Sequence, residues 1–513
     1  MSTPDSPAHG HGGDHIVAAA RAHGVGTLWT LSGAHVFPIY DAAVGGRDGV
    51  AEHRDSVSAA AHGPLRMIDT RHEATAVFAA EASAKLTRRP GFAVVTAGPG
   101  VTNAVSGIAS ASFNGTPVVV VGGRAPTNRW GQGALQELDH PPLLAPITKR
   151  AFTVTDPART ASDLDAAFAL AAAPHRGPVF ADIPMDVLFS HSSRADLGGP
   201  AAAPLEPDPD AIAASAALIA AAHQPVVVLG SDVWSDGAEQ AALDFATETG
   251  LPVIANGMGR GVLPRGHRCL VTRARSAAFR AADLVVVVGA PLDFRLGFGG
   301  FGDPASPARV IHIADAPQSI APHVDLAGSV AGDLSTALTA LATAVVQHPG
   351  RRDIGHWQEE LRAAASTAIE QDADLLASEA DPIHPARIYG ELLPRLTDDT
   401  VVVGDGGDFV SFAGKYIEPA RPGCWLDPGP YGCLGTGLGY AMAARVARPD
   451  SPVVALLGDG AAGMSLLDVD TLVRHNLPVV MIVGNNATWA LEKHPMRFLY
   501  GYDVAADLLP TRY

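Results

Sequence analysis

The chain is predicted to be an α/β protein built from three doubly wound parallel-sheet domains. Three observations carry that expectation. Its 513 residues exceed what one hydrophobic core organises. Short apolar runs rich in β-branched residues alternate with Ala-rich helical stretches along the whole length. Two composition shifts, at 190–209 and 347–385, separate those runs into thirds. The first shift is rich in Ser, Gly, Ala and Pro. The second is a charged helical stretch bounded by Pro-Gly and Pro-Ile-His-Pro. The implied domains are 14–188, 205–345 and 383–513.

Each third contributes three clear strands. They lie at 92–98, 117–123 and 178–184, then 225–231, 282–290 and 309–315, then 400–406, 452–460 and 478–486. All are continuously apolar, not alternating, which means strands covered on both faces and therefore βαβ units. No short-period repeat is present. Few residues follow Glu492, too few for the strand and helix that would close a third doubly wound domain, so the last domain reads as cut short at its C-terminus.

Composition excludes several function classes. The chain is 47% hydrophobic and 6% aromatic, as expected of a folded α/β protein. A net charge of −17 argues against a nucleic-acid partner. Any anionic ligand must then be held by local Arg, Lys, backbone amides or metal. Cys269, Cys424 and Cys433 are odd in number and lack metal-ligand spacing, which fits a reduced, cytoplasmic protein. No signal peptide or membrane-spanning run is found, so no membrane partner is expected. The polar start Met1–Gly13 reads as disordered, although the histidines of HGHGGDH could bind metal weakly.

The most informative stretch is LGDGAAGMSLLDVDTLVRHNLPVVMIVGNNATWALE, at 457–492. It reads as strand, Gly-Asp-Gly turn, helix, strand, Asn-Asn. Adjacent parallel strands would bring Asp459 and Asn486 to one crevice, where open α/β sheets bind ligands. With the backbone carbonyl of Thr488 they form a hard oxygen set suited to Mg²⁺. Gly460 and Ala461 open the following helix, where a diphosphate is favoured. The Gly-Asp-Gly turn alone would be an ordinary strand-to-helix turn.

A second signal lies in the first third. Arg71-His72-Glu73 begins a helix of small residues that leads through the strand 92–98 to Gly98-Pro99-Gly100-Val-Thr-Asn103. Together the two signals resemble the thiamine diphosphate (ThDP) enzymes, in which a pyrimidine-binding domain, a middle domain and a diphosphate-binding domain follow in that order. The resemblance spans nearly the whole chain. It implies ThDP and Mg²⁺ as cofactors and Asp459, Asn486 and Thr488 as metal ligands. It makes Glu73 the carboxyl that shares a proton with the aminopyrimidine ring; in isolation Glu73 would be a helix-start Glu favoured by the dipole. Gly98 and Asn103 would border the pyrimidine. In Tyr431-Gly432-Cys433-Leu434, Gly432 would accept from the 4′-amine through its carbonyl and Leu434 would wedge beneath the thiazolium. Gly406, Gly407 and Asp408 would border the diphosphate, or form a plain turn. In this superfamily the pyrimidine domain of one subunit meets the diphosphate domain of another. A homodimer or homotetramer with interfacial active sites is therefore implied.

The domain order is that of the acetolactate synthase, oxalyl-CoA decarboxylase and 2-hydroxyacyl-CoA lyase group. The middle third, with Asn256-Gly-Met258-Gly-Arg260-Gly, His267 and Ala274-Arg275-Ser276, is similar to the CoA-dependent branch. Pro291 and Phe294 depart from that branch's Arg and Trp. Arg275 and Ser276, in a loop after a strand, and Asp315, at a strand end, would contact CoA or ADP, or be plain surface charges. Gln136 resembles the active-site glutamine of the group, and Leu135 before it argues against oxalyl-CoA. His35 would face the substrate, or start a helix without chemical role. Glu492 matches the placement of a glutamate in pyruvate-decarboxylase-type enzymes that shuttles protons at ThDP and that acetolactate synthases generally lack, or pairs at the surface with Lys493 or His494. The reading favoured by the middle third is a 2-hydroxyacyl-CoA lyase, releasing formyl-CoA and a ketone or aldehyde, with 2-hydroxyisobutyryl-CoA as a candidate acyl-CoA substrate. The alternative is an acetolactate-synthase-like carboligase acting on pyruvate, often with a flavin. A third reading, a non-catalytic ThDP-fold protein, is disfavoured because Glu73, Asp459 and Asn486 are all kept.

Overall fold

The computed structural model describes residues 9–45, 65–198 and 204–508. The chain forms two compact units, Met1–Ala202 with Pro428–Val483, and Ala203–Asp427 with Gly484–Tyr513.

The first unit is built on a six-stranded sheet. Its strands are β1 (Thr27–Thr30), β2 (Arg66–Asp69), β3 (Gly91–Val95), β4 (Val118–Arg124), β5 (Arg150–Thr153) and β6 (Val179–Pro184). They pair in parallel in the order β2-β1-β3-β4-β6-β5. Val121 lies opposite Val94 on one side and Ala181 on the other. Helices α1 (Gly12–Ala22), α2 (Phe37–Val44), α3 (Glu73–Thr87), α4 (Pro99–Phe113) and α5 (Thr160–Ala172) complete the layers. Phe92 of β3 meets Phe168 of α5 edge to face at 5.5 Å, in a core shared with Val94, Val119 and Val121. Each such buried side chain contributes roughly 1.5–3 kcal/mol.

The polar start differs from expectation over its described residues. His9–His11 is a short strand paired antiparallel with His191–Ser193. His11 then caps α1: its Nδ1 accepts from the Asp14 amide while Asp14 accepts from the His11 amide. His11 is spent on a reciprocal helix cap and His15 Nε2 on Ser192, which composition alone did not reveal.

The second unit begins with α6 (Pro209–Ala221) and a five-stranded parallel sheet. The elements that follow are β7 (Pro225–Leu229), α7 (Glu239–Thr249), β8 (Val253–Ala255), α8 (Arg275–Ala281), β9 (Leu284–Val288), β10 (Arg309–Ala314), β11 (Gly328–Ala331) and α9 (Leu334–Gln347). The strand order is β8-β7-β9-β10-β11. Val227, Val286 and Ile311 enter one core, while Val226, Val285 and Val310 enter another on the opposite face. Both faces are covered, which is why these strands read as unbroken apolar runs. The charged stretch after 347 contributes α10 (Gly355–Gln371). Trp357 and Leu361 of α10 bury against the second of these cores, and Trp357 Nε1 donates to Pro225 O at 3.1 Å. Next come α11 (Pro385–Leu392), β12 (Val401–Asp405), α12 (Gly407–Tyr416) and β13 (Trp425–Leu426), which pairs in parallel with β12.

The chain then returns to the first unit with α13 (Gly437–Ala447), β14 (Val453–Gly458), α14 (Asp459–Ser465), α15 (Val469–Arg474) and β15 (Val480–Gly484). Helices α3 and α13 pack closely because position 439 is glycine. A Cβ there would lie 3.0 Å from Thr75 O and from Phe78 Cβ. The last helix, α16 (Ala490–Tyr500), belongs to the second unit. Among the described residues no helix is long and apolar enough to cross a membrane.

Candidate active site

Glu73 is the first residue of α3 and is buried. His72 caps the helix by accepting the Ala74 amide at Nδ1. The Glu73 carboxylate accepts from Asn103 Nδ2 at 3.0 Å. Thus the last residues of the two motifs in this third meet directly. About two helical turns on, Glu81 is fully buried and satisfied by Ser110 Oγ, Asn114 Nδ2 and Lys85 Nζ at 2.8–2.9 Å. This network locks α3 against α4.

The segment before Glu73 is also anchored. The Arg71 amide donates to Asp468 Oδ1 at 2.7 Å. Asp69, which ends β2, receives both Arg474 and His475 at 2.8 Å. Burial pushes the Asp69 carboxyl up, but the hydrogen bonds and charges of His475 and Arg474 outweigh it and hold it below the usual value.

At the next strand end, His35 lies in a short turn before α2, buried against β4. Its Nδ1 is 3.2 Å from Thr96 Oγ1, and Thr96 Oγ1 donates to Gln136 Oε1 at 3.3 Å. Burial holds the His35 imidazole below the usual histidine value. Gln136 has φ +60°, a left-handed backbone uncommon outside glycine. Facing it is Gly98 with φ +56°, where a Cβ would lie 2.9 Å from Gln136 Cβ. The structure therefore joins His35, Gln136 and Gly98 in one place.

Sequence reasoning missed what stands behind this turn. The Gly98 amide donates to His140 Nε2 at 3.0 Å, and His140 Nδ1 is 2.9 Å from Asp182 Oδ2. The signal was visible as one carboxylate inside the apolar strand 178–184.

Also in the first unit, Asp459 is buried and opens α14, with Gly460 and Ala461 after it. Gly432 has φ +73° and is exposed, and Leu434 is half-buried. Tyr431 meets Phe113 with ring centroids 4.9 Å apart.

In the second unit, Gly406 (φ +88°) caps α12, which starts with Gly407 and half-buried Asp408. Asn486 is exposed and its Oδ1 accepts from the Thr488 amide at 3.1 Å; the intervening Ala487 has φ +54°. Thr488 Oγ1 donates to Ala506 O at 2.7 Å. This leaves the Thr488 carbonyl as the group the sequence assigned to metal. Glu492 is exposed in the first turn of α16. Lys493 does not pair with it, being bound to Asp503 and Asp507.

The middle-third motif serves a structural purpose. Arg260 donates to Ile417 O at 3.1 Å and to Gly414 O at 2.8 Å, capping the C-terminus of α12. Its guanidinium also stacks over Trp425 at 4.8 Å. Burial pushes the nearby Glu418 carboxyl up, and Arg260, Arg273 and Arg265 oppose that. Arg275 begins α8 after a single helical turn, Thr272–Ala274, in place of the loop expected there. Arg275 donates to Arg295 O at 2.5 Å and lies over Phe279. Ser276 is exposed, whereas Asp315 is buried and accepts from Ser319 Oγ at 3.0 Å.

Comparison with known proteins fixes the family. Residues 10–143 match the thiamine pyrophosphate enzyme N-terminal TPP binding domain, 212–341 the central domain, and 405–510 the C-terminal TPP binding domain. The chain belongs to the thiamine diphosphate enzymes. Its relatives within that family include the "Probable acetolactate synthase" of Mycobacterium bovis, 46% identical over 100% of this chain and 90% of the relative. The "Acetolactate synthase large subunit IlvG" of Mycobacterium tuberculosis matches equally, at 46% over the same shares. The human "2-hydroxyacyl-CoA lyase 2" is 33% identical over 98% of this chain and 83% of its own length. The residues suit a ThDP enzyme in donor chemistry: a buried carboxylate oriented by an amide in one TPP-binding match, and a buried Asp at a helix start in the other.

Proposed function

We propose that this ThDP enzyme is a carboligase of the acetolactate synthase type, acting on a 2-ketoacid such as pyruvate. The observation that carries the reading is the 46% identity to proteins named acetolactate synthase, against 33% to 2-hydroxyacyl-CoA lyase 2. A second observation supports the order. Arg260 and Arg275, which lie in the middle-third motif that pointed to CoA, are engaged with backbone carbonyls. That motif therefore weighs less than its sequence suggested.

Bound ThDP supplies a nucleophilic thiazolium carbon for addition to a carbonyl. In our reading Glu73 shares a proton with the aminopyrimidine ring, and Asn103 fixes the carboxylate that does so. Gly432 accepts from the 4′-amine and Leu434 provides the apolar wedge. Asp459, Asn486 and the Thr488 carbonyl hold Mg²⁺. Gly460, Ala461, Gly406, Gly407 and Asp408 border the diphosphate. Gln136 and His35 meet the substrate; a proton-moving role for Glu492 belongs to the lyase reading below. The assembly is a homo-oligomer, with pyrimidine and diphosphate domains of different subunits at each site.

A second reading is kept because the human relative named 2-hydroxyacyl-CoA lyase 2 matches 98% of this chain. It is cleavage of a 2-hydroxyacyl-CoA to formyl-CoA and a ketone or aldehyde, with CoA or ADP near Arg275, Ser276 and Asp315. One mass-spectrometric assay separates the two. The protein is incubated with ThDP and Mg²⁺, with pyruvate in one tube and 2-hydroxyisobutyryl-CoA in the other. Acetolactate and CO₂ from the first are the expected products. Formyl-CoA and acetone from the second alone would overturn the carboligase reading.

A further inference from the structure

We propose that His140 and Asp182 are positioning residues of this site, acting through the Gly98 turn on Gln136. The proposal rests on the reading that Gln136 meets the substrate.

The direction of each hydrogen bond is fixed by chemistry. The Gly98 amide can only donate, so His140 Nε2, 3.0 Å away, is the acceptor. The ring proton then sits on Nδ1, which donates to Asp182 Oδ2 at 2.9 Å. Asp182 Oδ2 also receives Arg124 Nη1 at 2.7 Å. Arg124 is itself held by Asp139 Oδ1 at 3.0 Å and by the face of Trp130, 3.9 Å from the ring centroid. His140 and Asp182 are fully buried. Asp182 Oδ1 has no hydrogen-bond partner among the described residues.

A carboxylate at this position is costly. Val179, Phe180, Ala181 and Ile183 surround it in β6, all fully buried. Apolar side chains of similar volume are often neutral or stabilising in place of such buried ionic groups. The arrangement fixes one tautomer of His140, and that tautomer offers an acceptor to the Gly98 amide. What it holds is an unusual turn. Gly98 has φ +56° and ψ −110°, and Gln136 has φ +60°. The two are interlocked, since a Cβ at 98 would lie 3.0 Å from Gln136 O. Thr96 Oγ1 then engages Gln136 Oε1 and leaves the amide N–H groups for a ligand.

The test compares the ThDP- and Mg²⁺-loaded wild type with His140→Gln, His140→Leu and Asp182→Asn. Gln keeps an acceptor oxygen near the place of Nε2, whereas Leu removes it. Expected is a fall in kcat on the order of 10²-fold for His140→Leu, as a small misplacement of a reacting group produces. The apparent Kd for ThDP should stay within about threefold, and His140→Gln should recover most of the loss. Hydrogen–deuterium exchange of the peptide carrying the Gly98 amide should speed up in Leu and Asn variants and stay slow in Gln. That arm reads the relay without turnover. It holds even where the wild type proves inactive on the substrates tried, an outcome that would sink the functional reading alone. Wild-type kcat in a folded His140→Leu protein would overturn the proposal. So would equal losses in Gln and Leu that follow thermal stability. If His140→Leu does not fold, unchanged exchange at Gly98 in Asp182→Asn overturns it.

Discussion

Asn103 Nδ2 lies 3.0 Å from a carboxylate oxygen of Glu73, linking the start of α3 to the N-terminal part of α4. The amide donor fixes one oxygen, and in the proposed mechanism the other meets the aminopyrimidine ring nitrogen. Glu73→Gln is expected to lower turnover by about 10²-fold or more, within the range of lost acid–base catalysis. Asn103→Ala should lower it by less, about tenfold, because the carboxyl remains and only its orientation suffers. Steady-state rates at saturating ThDP and Mg²⁺ check both. Unchanged turnover in Glu73→Gln would remove Glu73 from the mechanism.

Glu81 offers a test of stability separate from chemistry. Its side chain is fully buried and receives Ser110, Asn114 and Lys85. Glu81→Ala leaves the Lys85 ammonium, itself nearly buried, without its carboxylate. Breaking a buried pair in this way costs about 3–5 kcal/mol. Ser110→Ala removes one neutral donor to the carboxylate and should cost about 1–2 kcal/mol. Denaturant unfolding measures both, and a loss below about 1 kcal/mol for Glu81→Ala would show that the network is not worth its burial.

Arg260 was read from sequence as part of a CoA-branch motif, and the structure gives it another task. Its two amino groups cap the carbonyls of Gly414 and Ile417 at the end of α12. Arg260→Ala should therefore destabilise the protein by about 1–3 kcal/mol, the scale of charge-assisted hydrogen bonds. Unfolding of the variant without any ligand is the measurement. Unchanged stability with lost binding of an acyl-CoA would return Arg260 to the nucleotide.

Much of the architecture was legible because burial on both sheet faces writes itself as unbroken apolar runs. All nine strands read from sequence exist, from Gly91–Val95 to Val480–Gly484. The short strands Thr27–Thr30, Arg66–Asp69, Arg150–Thr153, Val253–Ala255 and Gly328–Ala331 were not singled out, because polar or small residues dilute their pattern. Glu73, Asn103 and Asp459 stood out because motif spacing marks them. His140 and Asp182 did not, since His140 precedes the short helix Pro141–Leu144 while Asp182 lies on β6, and only the fold brings them together. The use of Arg260 was illegible for the same reason: its acceptors are carbonyls, which every residue carries.

Asp69 should make stability depend on pH in acid. Its carboxylate receives Arg474 and His475, with Asp470 beside Arg474. The folded protein holds this carboxyl below its ordinary value. The unfolded chain therefore binds the proton first, and stability from this group rises with pH. It is fully present above the unfolded value of about 3.9 and is lost as pH falls through the lower folded value. The side chain is 46% exposed, so solvent screens the pair. Asp69→Asn should cost under about 1 kcal/mol at neutral pH. The gap between wild type and variant should begin to narrow below about pH 3.9 and close only once pH has fallen through the lowered folded value. Thermal unfolding of the two proteins across that range is the measurement. A gap that stays constant from neutral pH into acid would mean that shape at Asp69, not its charge, holds the strand end before Glu73.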